Sequence, residues 1–228
     1  MLNQIIVISD GQSNVGPEPA DIARLALNTN IKVNTIGIID NEKNKNSISE
    51  LESIAENGGG VCELTNIGNL SETLSRVTIN SVYSSIEEVV SSELKELMDV
   101  ELHKMSPDDR NKIIKMVDKI GNEITLKCLI LLDTSGSMKN KIDIARKSVF
   151  ELLMFLKERK GENHIGVMIF PYETEYYKLL CDFTMDIDEL KGKIQKIVTG
   201  GITPTGYALE GAIGVFTQEE HPSNQYVV

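Results

Sequence analysis

No apolar run in this chain is long enough to cross a bilayer: runs such as residues 5–8 and 128–132 fall far short of the roughly 20 residues a spanning helix needs. The first residues pass straight from Met1 into Ile5-Ile6-Val7-Ile8, without the basic start and small-residue cleavage site of a secretory leader. A cytoplasmic location is expected. Cysteine is scarce. Cys62, Cys128 and Cys181 leave one thiol over in any disulfide scheme and lack zinc-ligand spacing, so all three read as small buried hydrophobes. Basic residues are in the minority, 23 Lys and Arg against 34 Asp and Glu, for a formal net charge of -11. That field repels phosphate backbones and anionic lipids, which argues against nucleic acid and membrane surfaces as partners. Histidine is sparse as well: His103, His164 and His221 fall at a predicted helix end, before a strand and in a tail, and all three read as surface residues.

What is present points to one core. A chain of 228 residues can bury one sizeable core but is short for two complete α/β domains. Hydrophobic residues at 41% and charged residues at 25% match soluble globular proteins, so neither disorder nor a fibrous repeat is indicated.

Strand and helix patterns alternate along the first half. Residues 4–8 form a β-branched run ending in Ser9-Asp10-Gly11, the pattern of a buried strand delivering a turn. A helix over 19–28, opened by Pro17 and Pro19, turns Ile22, Leu25 and Ala26 to one face, and 31–39 is again a strand. After a polar loop at 41–46 comes a helix over 47–56. It is stopped by Asn57-Gly58-Gly59-Gly60, because glycine tolerates the left-handed cap conformation, and a short strand over 61–64 follows. Apolar positions at helical spacing (Val82, Ile86, Val89, Val90, Leu94, Leu97) predict one long or broken helix over 70–103. Ser106-Pro107-Asp108-Asp109 starts the next helix, which ends at Gly121.

The second half opens on an apolar run, 124–132, that predicts a central strand buried on both faces and halted at Asp133-Thr134-Ser135-Gly136-Ser137. A helix over 141–157 follows. Strands at 165–170 and 176–183, joined by a short polar connection, are expected to pair antiparallel. Helices over 187–198 and 204–216 enclose Thr199-Gly200-Gly201-Ile202-Thr203-Pro204-Thr205-Gly206. The alternation predicts an α/β fold: a mostly parallel central sheet with helices on both faces and one antiparallel edge strand. Ligands of such sheets bind beyond the carboxyl ends of the strands, where the three polar turns around Asp10, Asp133 and Thr203 lie.

Asp133, Ser135 and Ser137 alternate after a buried strand, and the turn around Gly136 can aim their oxygens at one point. Carboxylate and hydroxyl oxygens suit a hard cation such as Mg²⁺, which takes near-octahedral oxygen geometry and keeps some waters. The run Asp133-Thr134-Ser135-Gly136-Ser137 resembles the Asp-x-Ser-x-Ser motif of the metal-ion-dependent adhesion site (MIDAS) of the von Willebrand factor A (VWA) family. Gly200 to Leu209 is similar to that family's second motif, which supplies a threonine hydroxyl, and Ser9-Asp10-Gly11 to its third, which supplies an aspartate. The resemblance covers nearly all of the chain apart from the joining helices, about 83–122. It implies a metal site of Asp133, Ser135, Ser137, Thr203 and Asp10, with Thr205 as the alternative threonine. It also implies bound Mg²⁺ (Mn²⁺ or Ca²⁺ as variants), serines and threonine on the ion, aspartates acting largely through water, and a protein partner whose Asp or Glu completes the shell. Such a module is not an enzyme.

In the family the motifs run first, second, third, whereas here the third comes at residue 10. The resemblance therefore implies that residues 1–82 correspond to the carboxyl-terminal half of the fold (its strands 4–6), 83–122 to a helical connector and 123–228 to the amino-terminal half (its strands 1–3 and following helices). This order is similar to that of a permuted VWA protein of spore-forming bacteria encoded near sporulation genes. Circular permutation closing one domain within a monomer is the favoured reading. Exchange of halves between chains, giving a swapped dimer or an assembly protein, is the other. The second finds support in Asn224-Gln225-Tyr226-Val227-Val228, which resembles Asn3-Gln4-Ile5-Ile6-Val7.

Plainer readings stand beside each residue. Ser137 and Thr203 are each good helix caps taken alone. Asp133 as the phosphorylated nucleophile of a Mg²⁺-dependent phosphohydrolase, as in haloacid-dehalogenase-like enzymes, needs a second aspartate two residues on, where Ser135 stands. A serine hydrolase needs a Gly-x-Ser-x-Gly elbow and a histidine base, and that flanking pattern is missing. The acidic-apolar stretch 87–101 reads as a helix packed on the sheet.

Overall fold

The computed structural model describes residues 1–39, 45–98, 104–194 and 197–220. Six strands form one sheet: β1 (Leu2–Ser9), β2 (Ile31–Ile38), β3 (Gly59–Thr65), β4 (Leu126–Asp133), β5 (Asn163–Phe170) and β6 (Lys178–Thr184), in the order β3-β2-β1-β4-β5-β6. All neighbours pair parallel except β5 and β6, which run antiparallel at one edge. Among the described residues seven α-helices accompany them: α1 (Pro19–Asn28), α2 (Lys45–Asn57), α3 (Leu70–Met98), α4 (Pro107–Glu123), α5 (Ile142–Leu156), α6 (Ile187–Ile194) and α7 (Thr205–Glu220).

The layering follows from strand periodicity. Successive side chains on a strand face opposite ways. Ile5 and Val7 of β1, with Leu129 and Leu131 of β4, therefore enter one core cluster with Ile22 and Ala26 of α1, Leu51 and Ile54 of α2, and Leu209 and Ala212 of α7. Ile6 and Ile8, with Cys128, Ile130 and Leu132, enter the other, against Leu74, Val77 and Ile86 of α3, Val117 of α4 and Val149 and Leu152 of α5. A sheet covered on both faces must be apolar on both. That is why Ile5 to Ile8 and Cys128 to Leu132 are continuous hydrophobic runs, each residue fully buried.

Local chemistry sets the helix ends. The Ser106 hydroxyl accepts the Asp109 N–H at 3.2 Å to open α4, with Pro107 in its first turn. Gly59 holds φ +64° where α2 gives way to β3.

Several expectations are corrected. The predicted 187–198 helix is described as helical only to Ile194, and residues 197–200 lie outside helix. Cys62 is half-buried, unlike the buried Cys128 and Cys181. The 41–44 loop, His103, His221 and the repeated terminal strand at 224–228 lie outside the described residues.

One polar element inside the sheet has no counterpart in the pattern reading. Asn34 of β2 is fully buried; its amide donates to Gln4 Oε1 (3.2 Å) and Ser81 Oγ (3.1 Å). Its carbonyl accepts the Val61 N–H at 3.1 Å, at the register shift between β2 and β3. A buried amide is tolerated because its hydrogen bonds are filled by groups on β1, β3 and α3.

Candidate metal centre

Strand order creates the place for a site. From β1 the chain winds toward β2 and β3; from β4 it winds the opposite way, toward β5 and β6. The loops leaving β1 and β4 therefore diverge and open a crevice at their carboxyl ends. Ile8 pairs with Leu132, so Ser9 and Asp133 emerge side by side. Ser9 Oγ donates to Asp133 Oδ2 at 2.5 Å, and the Ser135 N–H donates to Oδ1 at 2.7 Å. Asp133 is fully buried. Burial pushes its carboxyl up to about 6, against the pull of those hydrogen bonds, and the nearby Asp10 carboxylate adds to the rise.

Beyond Asp133 the chain makes a 3-10 turn, Gly136–Asn140, before α5. This turn is absent from the sequence expectation, and it presents two hydroxyls together: Ser135 Oγ and Ser137 Oγ are 3.1 Å apart. Ser137 donates to Asp10 Oδ1 at 2.6 Å. A hydroxyl has one proton, so Ser135 is the donor to Ser137. On the far side of Asp10, Lys141 Nζ donates to Oδ2 at 2.5 Å, with the two side chains only 11% and 2% exposed. Residues 10, 133, 135 and 137, taken from two loops far apart in sequence, thus form one hydrogen-bonded array.

The Thr203 loop is fastened to the Asp10 loop by backbone and side-chain bonds. Thr203 N–H donates to Asn14 Oδ1 (2.9 Å), Asn14 N–H to Thr203 O (3.1 Å) and Ser13 Oγ to the same carbonyl (3.2 Å). Two glycines permit this approach. A Cβ on Gly206 would lie 2.1 Å from Pro17 O, and one on Gly16, which holds φ +104°, would lie 2.7 Å from the Tyr207 ring. A Cβ on Gly11 would sit 3.9 Å from both Ser137 Oγ and Thr203 Oγ1, which puts the threonine hydroxyl on the same side of that loop as the serine. Thr205 begins α7 and is 2% exposed. The capping readings fare less well: Ser137 lies inside the 3-10 turn while Lys141 holds the N-cap position of α5, and α7 starts two residues beyond Thr203.

The donor set fits a hard cation. Among the described residues no three of His, Cys, Asp and Glu gather into a metal cluster. The oxygens offered are two carboxylates and three hydroxyls. Mg²⁺–O distances of about 2.0–2.1 Å require adjacent octahedral ligands about 3 Å apart, and the Ser135–Ser137 and Ser137–Asp10 separations are 3.1 and 2.6 Å. A hydroxyl whose proton goes to a neighbouring oxygen still has lone pairs for a cation.

Four supporting residues escaped the pattern reading as site members. Ser9 lies within the Ser9-Asp10-Gly11 run but carried no assigned role. Asn14 gives no signal without its partner 189 residues away. Glu50 accepts the Ser13 N–H at 2.8 Å, and burial raises its carboxyl. Lys141 looks like an ordinary helix-start residue. Neither histidine assigned to a helix end or tail is described, and His164 stands at the amino end of β5, away from Asp133, beside Glu162.

The von Willebrand factor type A domain profile matches residues 128–228. The chain is 36% identical over 214 residues to the uncharacterized protein YabS of Bacillus subtilis (strain 168), covering 92% of this chain and 87% of that one. A crystal structure of an uncharacterized protein from Alicyclobacillus acidocaldarius subsp. acidocaldarius DSM 446 superposes with a TM-score of 0.88 at 32% identity, over 97% of this chain and 96% of the other. With the sheet order, the strand-end loops and these likenesses in agreement, the chain belongs to the von Willebrand factor type A domain family.

Proposed function

We propose that this chain is a non-enzymatic, metal-ion-dependent protein-interaction module. Ser135, Ser137 and Thr203 supply hydroxyl oxygens to one Mg²⁺, Asp133 and Asp10 hold the surrounding hydrogen bonds, and a partner's Asp or Glu completes the shell. When bound, the cation supplies a strong local positive potential for that incoming carboxylate. The field acts at short range, since the protein as a whole carries a net charge of -11. The observation that carries this reading is the Ser137–Asp10 bond, which joins loops 127 residues apart at the end of Asp133's strand. Asp133 is ill placed as an enzymatic nucleophile: both its oxygens already accept hydrogen bonds, and it is fully buried. Recognition extends beyond the carboxylate, because Ile202 and Tyr176 are each 45% exposed near the Thr203 loop and Tyr176 stacks on Tyr207 at 4.2 Å.

The motif order is a permutation in our reading. The parallel pairing of β1 with β4 inside one chain supports a domain closed within that chain, and the family match over 128–228 suits the amino-terminal half of the fold standing second. Free cysteines and the lack, among the described residues, of a helix able to span a membrane suit a cytoplasmic protein.

The test is calorimetric titration of Mg²⁺ into the chain across pH. Binding of one ion is expected, and proton competition at Asp133, whose carboxyl sits at about 6, lowers apparent affinity about tenfold per pH unit below that value. Absence of divalent binding at neutral pH would discard the proposal.

A further inference from the structure

We infer, building on the metal-site reading, that Lys141 is a positioning residue that sets the cation preference of this centre, by locking Asp10 so that only one of its oxygens faces the site. Asp10 Oδ2 is held by the Lys141 ammonium at 2.5 Å, which leaves Oδ1 for Ser137. Asp133 is restrained in the same sense, one oxygen taken by Ser9 and the other by the Ser135 N–H. Neither carboxylate is free to turn both oxygens toward one ion.

That restriction bears differently on different cations. Ca²⁺ gathers about 6–8 oxygens at roughly 2.3–2.6 Å and readily uses bidentate carboxylates, whereas Mg²⁺ takes six at about 2.0–2.1 Å and keeps waters. A centre of hydroxyls and singly presented carboxylates therefore suits the smaller ion. The lock is rigid for two reasons. Lys141 closes the 3-10 turn that carries Ser137, its N–H bonded to Met138 O (2.8 Å) and its carbonyl accepting from Ala145 N–H (2.9 Å) at the start of α5. Its ion pair with Asp10 also lines a small cavity of about 70 Å³ whose walls include Ile38, Leu51 and Leu64. In such partly desolvated surroundings, the loss of one partner is felt strongly by the other.

Removing the ammonium frees Asp10 Oδ2 for bidentate ligation, which favours Ca²⁺; the negative charge it leaves beside the site attracts both dications. Mg²⁺ and Ca²⁺ are titrated separately into the wild-type chain, Lys141→Met and Lys141→Arg, with circular dichroism to confirm folding. Lys141→Met is expected to raise Ca²⁺ affinity relative to Mg²⁺ by about tenfold, and Lys141→Arg to keep the wild-type ratio. Lys141→Gln, one bond shorter and uncharged, is expected to shift the ratio in the same direction and substitutes for the methionine variant if that fails to fold. A wild-type ratio in Lys141→Met, or in Lys141→Gln where it takes that variant's place, overturns this inference alone. A wild-type chain that binds neither ion overturns the metal-site reading beneath it.

Discussion

Asp133→Asn is expected to weaken Mg²⁺ binding by about 100-fold, the upper range for losing a residue that orients metal ligands, while leaving the fold intact. The variant isolates charge from shape. Its Oδ1 still accepts the Ser135 N–H. The new amide donates to Ser9 Oγ, whose proton turns to Gly11 O, already 3.3 Å away. Asp133→Ala leaves the Ser9 hydroxyl and Ser135 N–H without that partner, adding about 1–3 kcal/mol of instability for each buried group left unpaired. A second consequence concerns pH. The folded-state carboxyl of Asp133 is raised from 3.8 to about 6, so the metal-free folded protein holds a proton that the unfolded chain releases. That contribution to stability is complete below pH 3.8 and is lost as pH rises through about 6. Urea titrations of metal-free protein are expected to show this step in the wild type and not in Asp133→Asn. Unchanged Mg²⁺ affinity in the variant would contradict the assignment.

Gly206→Ala is the second large effect, and it works against helix propensity. Alanine within α7 is worth about 1 kcal/mol over glycine where space allows. At Gly206, however, the Cβ meets the backbone oxygen of Pro17 at 2.1 Å, and a carbonyl fixed in a loop cannot move aside as a flexible side chain can. The loops carrying Asp10 and Thr203 must part, straining the Asn14–Thr203 pair. We expect a net loss of about 2–3 kcal/mol, in the range of overpacking, and Mg²⁺ affinity reduced about tenfold. Gly214→Ala is the control in the same helix, since nothing lies within 4 Å of its Cβ; it is expected to be neutral or mildly stabilising. Equal stability of the two variants by urea unfolding would show that the contact is not decisive.

Much of this was readable from residue patterns. β1 and β4 are buried on both faces and therefore spell out apolar runs, and α1 begins at the expected Pro19 and ends at the expected Asn28. The long helix over 70–98 showed in the apolar spacing of Val82 and Ile86, which line one core, whereas Val89 of the same series is 61% exposed. The Asp133, Ser135 and Ser137 trio is local, five residues in a row, so its oxygens were legible as a group. Other features depend on distance along the chain. Lys141 reaches Asp10 across 131 residues, and Asn14 meets Thr203 across 189; nothing in the composition of either neighbourhood announces its partner. Asn34 sat in an apolar strand, where only the register shift beside it explains why an amide is needed.

The most direct measurement is the anomalous difference map of crystals of the full chain grown with Mn²⁺. The account predicts one peak bounded by Ser135 Oγ, Ser137 Oγ and Thr203 Oγ1, with Asp133 and Asp10 of the same molecule around it. A peak at any other place, or none among these oxygens at saturating Mn²⁺, would contradict it.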